Sequence, residues 1–327
     1  MRVVITGSNG FIGSALAADC LQRGFQVKCL VRRTSDLSRL QGLNVELCYG
    51  ELRRPDSLQG LFKDVDIVFH LAGVTRGRNE QDYLAGNYHS TVNLLEACLA
   101  EGPERLKVVF VSSQAAVGPS TADRPLTEED EPRPISLYGR SKLLAEKAVL
   151  EYSRKRPAVI VRPPSVYGPG DKDFLILFQN IQRGILPMVG DGRQRISIIY
   201  IDDLVRGIQA AAEKPQANGE IFFLSGDEDV SYAELAQTIA QALDARPLTL
   251  HLPMPAVEAV IRLNVLVCRL TGKATILNMD KLREMKQPGW LCSNRKAKDV
   301  LGFQPQVNLA EGMRRTAAWY REMGLLR

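Results

Sequence analysis

Thr6-Gly7-Ser8-Asn9-Gly10-Phe11-Ile12-Gly13 follows a short β-rich run, Arg2–Thr6, and opens the helical pattern Phe11–Arg23. Each glycine has its own physical job. Gly7 and Gly10 permit a tight turn and let the backbone approach a pyrophosphate, while Gly13 lets the helix pack close to the strand. The helix start then offers unpaired N–H groups and a partial positive charge to phosphate. A glycine triplet alone says little, but between a strand and a helix it reads as a dinucleotide-phosphate turn. Asn9, Phe11 and Ile12 lie inside that turn and are grouped with its glycines.

Outward from the turn, short runs rich in Val and Ile recur at Gln26–Val31, Asn44–Tyr49, Asp66–Leu71, Lys107–Ser112 and Ala158–Arg162. Runs of this kind suit strands covered on both faces. Helical patterns fall between them at Pro55–Phe62, Asn87–Ala100 and Tyr138–Arg154. Strand and helix alternating in this way predict an α/β fold, a doubly wound parallel sheet with helices on both faces. The second half is less regular and richer in Pro and Gly. A helix Ile201–Ala212 and a strand Glu220–Ser225 are placed back with the sheet, and Leu309–Met323 is the last helix. The expected division is residues 1–162 as a nucleotide-binding domain, joined by 196–225. Residues 163–195 and 226–327 then form a smaller, mostly helical substrate lobe.

The chain has 327 residues, 45% of them hydrophobic and 24% charged, which is an ordinary globular composition. Lys and Arg number 42 against 37 Asp and Glu, a net charge of +5 too small and dispersed to indicate a nucleic-acid partner. No basic segment followed by an apolar one stands at the start, so no signal peptide is expected. The most apolar stretch, Leu252–Thr271, carries Pro253, Pro255, Glu258, Arg262 and Arg269 and is not expected to span a bilayer. Its apolar part, from Ala256 onward, suits a packed helix, a pocket for a hydrophobic substrate or a membrane surface. The six cysteines form no CxxC pair and sit mostly in apolar runs, which points to free thiols in a cytoplasmic protein. His70, His89 and His251 are scattered without metal-ligand spacing.

The glycine spacing resembles that of the extended short-chain dehydrogenase/reductase family, in its NAD-dependent epimerase/dehydratase group. Further stretches carry the likeness in family order: His70-Leu71-Ala72-Gly73, Val111-Ser112-Ser113, Tyr138-Gly139-Arg140-Ser141-Lys142, Arg162-Pro163-Pro164-Ser165-Val166-Tyr167-Gly168-Pro169-Gly170-Asp171, Tyr200-Ile201-Asp202-Asp203-Leu204 and Asp299-Val300-Leu301-Gly302-Phe303-Gln304-Pro305. Dihydroflavonol reductases and 3β-hydroxysteroid dehydrogenases are similar relatives. The resemblance implies a Rossmann-type fold, a nicotinamide cofactor, a small-molecule substrate and a homodimer. It also places Glu51 and Leu52 near the adenine, and Leu71, Ala72, Gly73 and Pro164 along the cofactor. Asn87, heading the long helix, is implied as support beside the cofactor.

Cofactor choice is read at the end of the second strand, where an acid would bind the adenosine ribose and repel a 2′-phosphate. Here the strand ends Leu30-Val31-Arg32-Arg33, with no acid. Arg32 suits a phosphate by charge and by bidentate hydrogen bonding, so NADP is expected in preference to NAD.

Of nine tyrosines, Tyr138 alone has a lysine four residues later, Lys142. Positions i and i+4 share a helix face. An ammonium and a cationic nicotinamide would both lower the phenol from its ordinary value near 10, letting Tyr138 act as acid or base. Lys142 would also hold the nicotinamide ribose. Ser113, at the carboxyl edge of the fifth strand, would hydrogen-bond the substrate oxygen. Ser112 is the competing position. By the resemblance, the second serine of the pair is the catalytic one.

Sugar-nucleotide dehydratases of the family carry two acids after the serine position, and epimerase-reductases carry a cysteine. Gln114 and Ala115 stand here, which argues against both. A nucleotide-sugar 4-epimerase holding NAD remains the alternative. Its diphosphate-clamping arginine would fall on Ile196, one position from Arg195, and Arg193 and Arg195 are the residues that could take its place. The reading reached is hydride transfer between nicotinamide and a secondary alcohol or ketone, with a hydrophobic substrate or a nucleotide sugar as partner.

Overall fold

The computed structural model describes residues 1–271 and 279–327. The first half runs β1 (Arg2–Thr6), α1 (Phe11–Gln22), β2 (Gln26–Val31), β3 (Glu46–Tyr49), β4 (Ile67–His70), α2 (Glu80–Tyr83), α3 (Ser90–Glu101), β5 (Lys107–Val111), α4 (Leu137–Ser153) and β6 (Ala158–Arg162). Then come β7 (Ser165–Tyr167), α5 (Leu175–Gln182), β8 (Ile185–Val189), β9 (Arg195–Tyr200), α6 (Ile201–Glu213), β10 (Ile221–Phe223) and β11 (Asp229–Ser231). The chain ends with α7 (Tyr232–Ala242), β12 (Leu248–Leu252), α8 (Met254–Thr271), α9 (Met279–Met285), β13 (Gly289–Trp290) and α10 (Leu309–Glu322).

Seven parallel strands form the main sheet in the order β10-β6-β5-β4-β1-β2-β3. Side chains alternate between its faces, as a strand requires. Val3, Ile5, Phe69, Val109 and Val111 enter one core, and Val4, Val68, Val108 and Phe110 enter the other. Both faces are covered, so β4, β5 and β6 are buried at every residue. The strand order reverses between β1 and β4, where Thr6 pairs with His70. The crevice beyond those two carboxyl ends is where open α/β sheets bind ligands.

Two expected helices differ in detail. Pro55–Phe62 is only a single 3₁₀ turn, Pro55–Leu58, followed by Gly60 at φ +79°, a left-handed turn that no helix continues. The helix expected from Asn87 instead begins as a π-helical turn, Leu84–His89, before α3. Of residues 196–225, β10 joins the main sheet beside β6, while β9 pairs with β7, β11 and β13 in a small second sheet. β8 and β12 form a parallel pair. Among the described residues no helix is long and apolar enough to cross a membrane. On α8, Ile261 is buried, whereas Val260 and Leu263 are each about 60% exposed.

Candidate active site

The turn after β1 is built so that only glycine fits. Gly7 lies at φ +70°, and a Cβ there would come within 2.8 Å of the Ala72 backbone nitrogen. A Cβ on Gly13 would collide with the Gly7 carbonyl oxygen. Gly10 donates its N–H to that oxygen at 3.0 Å and serves as the N-cap of α1, with no side chain capping the helix. Backbone N–H groups at the start of α1 therefore remain available beside the crevice, which suits a pyrophosphate. Asn9 points elsewhere and donates to the Asp36 carbonyl at 3.1 Å.

Behind the turn runs a closed hydrogen-bond chain. The Ala72 N–H donates to Thr6 Oγ1 at 3.1 Å, and Thr6 Oγ1 meets His70 Nδ1 at 2.7 Å. His70 Nε2 meets Thr91 Oγ1 at 2.9 Å, and the Thr91 hydroxyl donates to the Asn87 carbonyl at 2.6 Å. Thr91 thus has its proton committed, so His70 donates from Nε2 and accepts at Nδ1. Burial, with Lys142 nearby, pushes His70 down to about 3, keeping it neutral. The Asn87 side chain is fully engaged: Oδ1 accepts from the Val74 N–H at 2.6 Å, and Nδ2 donates to the Val74 carbonyl and Ser141 Oγ. Asn87 therefore pins the loop after Leu71, Ala72 and Gly73 to α4 and has no side-chain N–H left to donate to a ligand.

The serine pair separates cleanly. Ser112 is buried and donates to Glu146 Oε1 at 2.5 Å. Glu146 is itself held by Arg162 at 2.9 and 2.7 Å, a bidentate ion pair with both side chains no more than 2% exposed. Ser113 caps the following 3₁₀ turn, accepting from the Ala115 N–H at 3.2 Å, and lies in hydrogen-bonding reach of the Tyr138 hydroxyl. Ser113, not Ser112, is therefore the serine that meets the phenol.

Ser136 caps α4 by accepting from the Gly139 N–H at 3.2 Å, so Tyr138 sits in the first helical turn. Its electrostatics run against expectation. Burial pushes the phenol up to about 12, Ser113 opposes that shift, and the Glu284 carboxylate and Tyr83 add to it. Lys142 is 3% exposed and donates to the Val111 carbonyl at 2.8 Å, with its ammonium 4.1 Å from the Phe110 ring centre. Burial pushes Lys142 down to about 7, against the pull of Glu146. Desolvation is the largest cause of both shifts, in opposite directions because it disfavours the charged form of each. At neutral pH Tyr138 carries its proton.

The remaining predicted positions are placed as follows. Arg32 and Arg33 are exposed after β2, with Arg33 over the Tyr49 ring at 5.4 Å and no carboxylate paired to either among the described residues. Glu51 and Leu52 follow β3, where the Leu52 carbonyl accepts from Asn93 at 2.8 Å. Pro164 follows β6, beside Pro163, whose carbonyl accepts from the Gln114 N–H at 2.9 Å. Arg195 donates from Nη2 to the Asp229 carbonyl at 3.3 Å.

Two neighbours of Tyr138 had no sequence signal. Tyr83, on α2, is buried with its ring centre 6.4 Å from that of Tyr138. Glu284 lies on α9, far along the chain.

A profile of the NAD dependent epimerase/dehydratase family matches residues 3–224. The chain belongs to that family. It is an enzyme of the extended short-chain dehydrogenase/reductase type. It is 31% identical to a UDP-glucose 4-epimerase of Vibrio cholerae, over 96% of this chain and 94% of that one. It is 29% identical to a ceramide reductase of Caulobacter vibrioides, over 99% and 96% of the two chains. Among solved structures, UDP-glucuronic acid 4-epimerase from Bacillus cereus in complex with NAD superposes at a TM-score of 0.80, with 25% identity and 99% of each chain covered.

Proposed function

We propose that this chain is an NADP(H)-preferring reductase of a ketone, working on a secondary alcohol in reverse, with Ser113, Tyr138 and Lys142 as its catalytic group. The observation that carries the reading is the Ser113–Tyr138 pair at the carboxyl edge of the sheet, beside an uncapped glycine turn. Gly7, Gly10 and Gly13, with Phe11 and Ile12, would cradle the pyrophosphate. When bound, the reduced nicotinamide supplies a hydride to the carbonyl carbon. Ser113 orients the carbonyl oxygen, and Tyr138, protonated at neutral pH, donates its proton to that oxygen as negative charge develops. Lys142, one helical turn after Tyr138 and bonded to the Val111 carbonyl at the end of β5, would hold the nicotinamide ribose.

Preference for NADP rests on Arg32 and Arg33 at the end of β2, where an acid is missing. A hydrophobic ketone fits both the likeness to a ceramide reductase and the exposed apolar side chains of α8. We further propose residues 163–195 and 226–327 as the substrate lobe, a homodimer as the assembly and the cytoplasm as the location. The free thiols at Cys20, Cys29, Cys48, Cys98 and Cys292 suit that compartment. The second reading, a nucleotide-sugar 4-epimerase, has the Vibrio cholerae relative in its favour. Against it stand the missing acid after β2 and Ile196 at the position of the diphosphate-clamping arginine.

The test is NADPH consumption against a panel of long-chain ketones, with UDP-sugars assayed in parallel. Tyr138→Phe should cut turnover by about 10²–10⁴-fold while leaving NADPH affinity unchanged. Sugar interconversion without net cofactor use would establish the epimerase instead.

A further inference from the structure

The lobe that follows α8 brings a carboxylate to the candidate active site, and nothing in the hydride-transfer chemistry needs it there. Asp280, on α9, accepts from the Leu137 N–H at 2.8 Å. That bond seats α9 directly against the first turn of α4, one residue before Tyr138. Glu284 lies one helical turn beyond Asp280 and shares its face. Its backbone is pinned, because its carbonyl accepts from Trp290 Nε1 and from Gln194 Nε2, both at 3.1 Å. The Glu284 carboxylate is near enough to oppose ionisation of the Tyr138 phenol. Lys281 meets Oε2 at 3.4 Å from a side chain 47% exposed, which is too loose and too wet to neutralise the charge. The other oxygen, Oε1, has no protein partner among the described residues. A three-quarters buried carboxylate with an unused acceptor therefore stands on the face of α9 that docks through Asp280 on the first turn of α4, beside Tyr138.

We infer that Glu284 is a specificity-determining residue, selecting substrates with a hydroxyl or amide N–H beside the reacting carbon and turning away those with an anion there. This rests on the reductase reading and deepens it. A donor on the substrate would satisfy Oε1, whereas a substrate carboxylate would leave two like charges together in a poorly solvated site. Tyr138 and Ser113 are left to handle the carbonyl oxygen.

The test compares three ketones of one chain length: one with an adjacent amide N–H, its N-methylated form, and one with an adjacent carboxylate. Dissociation constants for the NADP-loaded enzyme are read from tryptophan fluorescence, and kcat/KM from NADPH consumption. Wild type should favour the N–H ketone over both others by about tenfold or more. Glu284→Gln should shrink the preference over the carboxylate by about tenfold, and Glu284→Lys should reverse it. Equal preferences in wild type and both variants would overturn the proposal. Since binding is measured directly, selective binding without turnover would sustain Glu284's role and sink the reductase reading instead.

Discussion

Removing the two adjacent hydroxyls one at a time should separate stability from turnover. Ser112 is 4% exposed and bonds a buried carboxylate at 2.5 Å. Hydrogen bonds to charged groups are worth about 1.5–3 kcal/mol net. Glu146 keeps both bonds from Arg162 when Ser112 is lost, so the carboxylate is not orphaned. Ser112→Ala should therefore cost about 2 kcal/mol, and lower Tm by roughly 2–4 °C for each of those. Its kcat should stay within about threefold of wild type, because Ser112 faces away from Tyr138. Ser113→Ala inverts the pattern. It loses one 3.2 Å capping bond at a half-buried turn, a stability cost of about 0.5–1 kcal/mol. It also removes the hydroxyl that meets the phenol, and loss of such a donor costs about 10²–10³ in kcat. Urea unfolding followed by tryptophan fluorescence, with NADPH consumption on the best ketone of the panel, reads both quantities. If Ser112→Ala lost more turnover than Ser113→Ala, the assignment of the two serines would be wrong.

Lys142→Met tests the desolvated ammonium. Its folded value is about 7 against 10.5 for an ordinary lysine, so the unfolded chain binds the extra proton between those values. Wild-type stability gains from this group as pH rises from about 7 towards 10.5 and loses it on the way down. The methionine variant lacks that slope, so its stability relative to wild type should fall by about 1 kcal/mol per unit from pH 7 to 9. A pH-independent difference in urea unfolding would show that Lys142 is not desolvated. Arg32→Ala should weaken NADPH binding by about 1.5–3 kcal/mol and leave NADH binding unchanged. Fluorescence titration with both cofactors measures this, and an equal loss for both would remove the basis for NADP preference.

The strands Arg2–Thr6, Gln26–Val31 and Ala158–Arg162 were legible to the residue, because strands of a covered parallel sheet are short runs dominated by Val, Ile and Leu. The glycine turn was legible for a similarly local reason: Gly7 and Gly13 meet backbone, which no side chain can share. The π-helical turn at Leu84–His89 was not legible, since an inserted residue leaves the apolar pattern almost unchanged. Nor was β8 pairing with β12, two short strands more than 60 residues apart, of which β12 is exposed along nearly its whole length and carries no burial pattern. Within the candidate site, the placing of Tyr138 and Lys142 one turn apart on α4 was legible from their spacing. Glu284 did not, because its place depends on where α9 docks.

Local chemistry along the chain was enough to specify a parallel sheet, a glycine turn opening the first helix and a helix carrying Tyr138 and Lys142 one turn apart. These follow from backbone sterics and from the 2.0 and 3.6 residue periods, which act over a few neighbours. What holds Ser112, and which way the phenol and ammonium shift, was decided only in three dimensions. Glu146 and Arg162 claim Ser112 from other elements, and burial sets the charges of Tyr138 and Lys142. Desolvation is a sum over everything packed around a group, and most of those neighbours are distant in sequence.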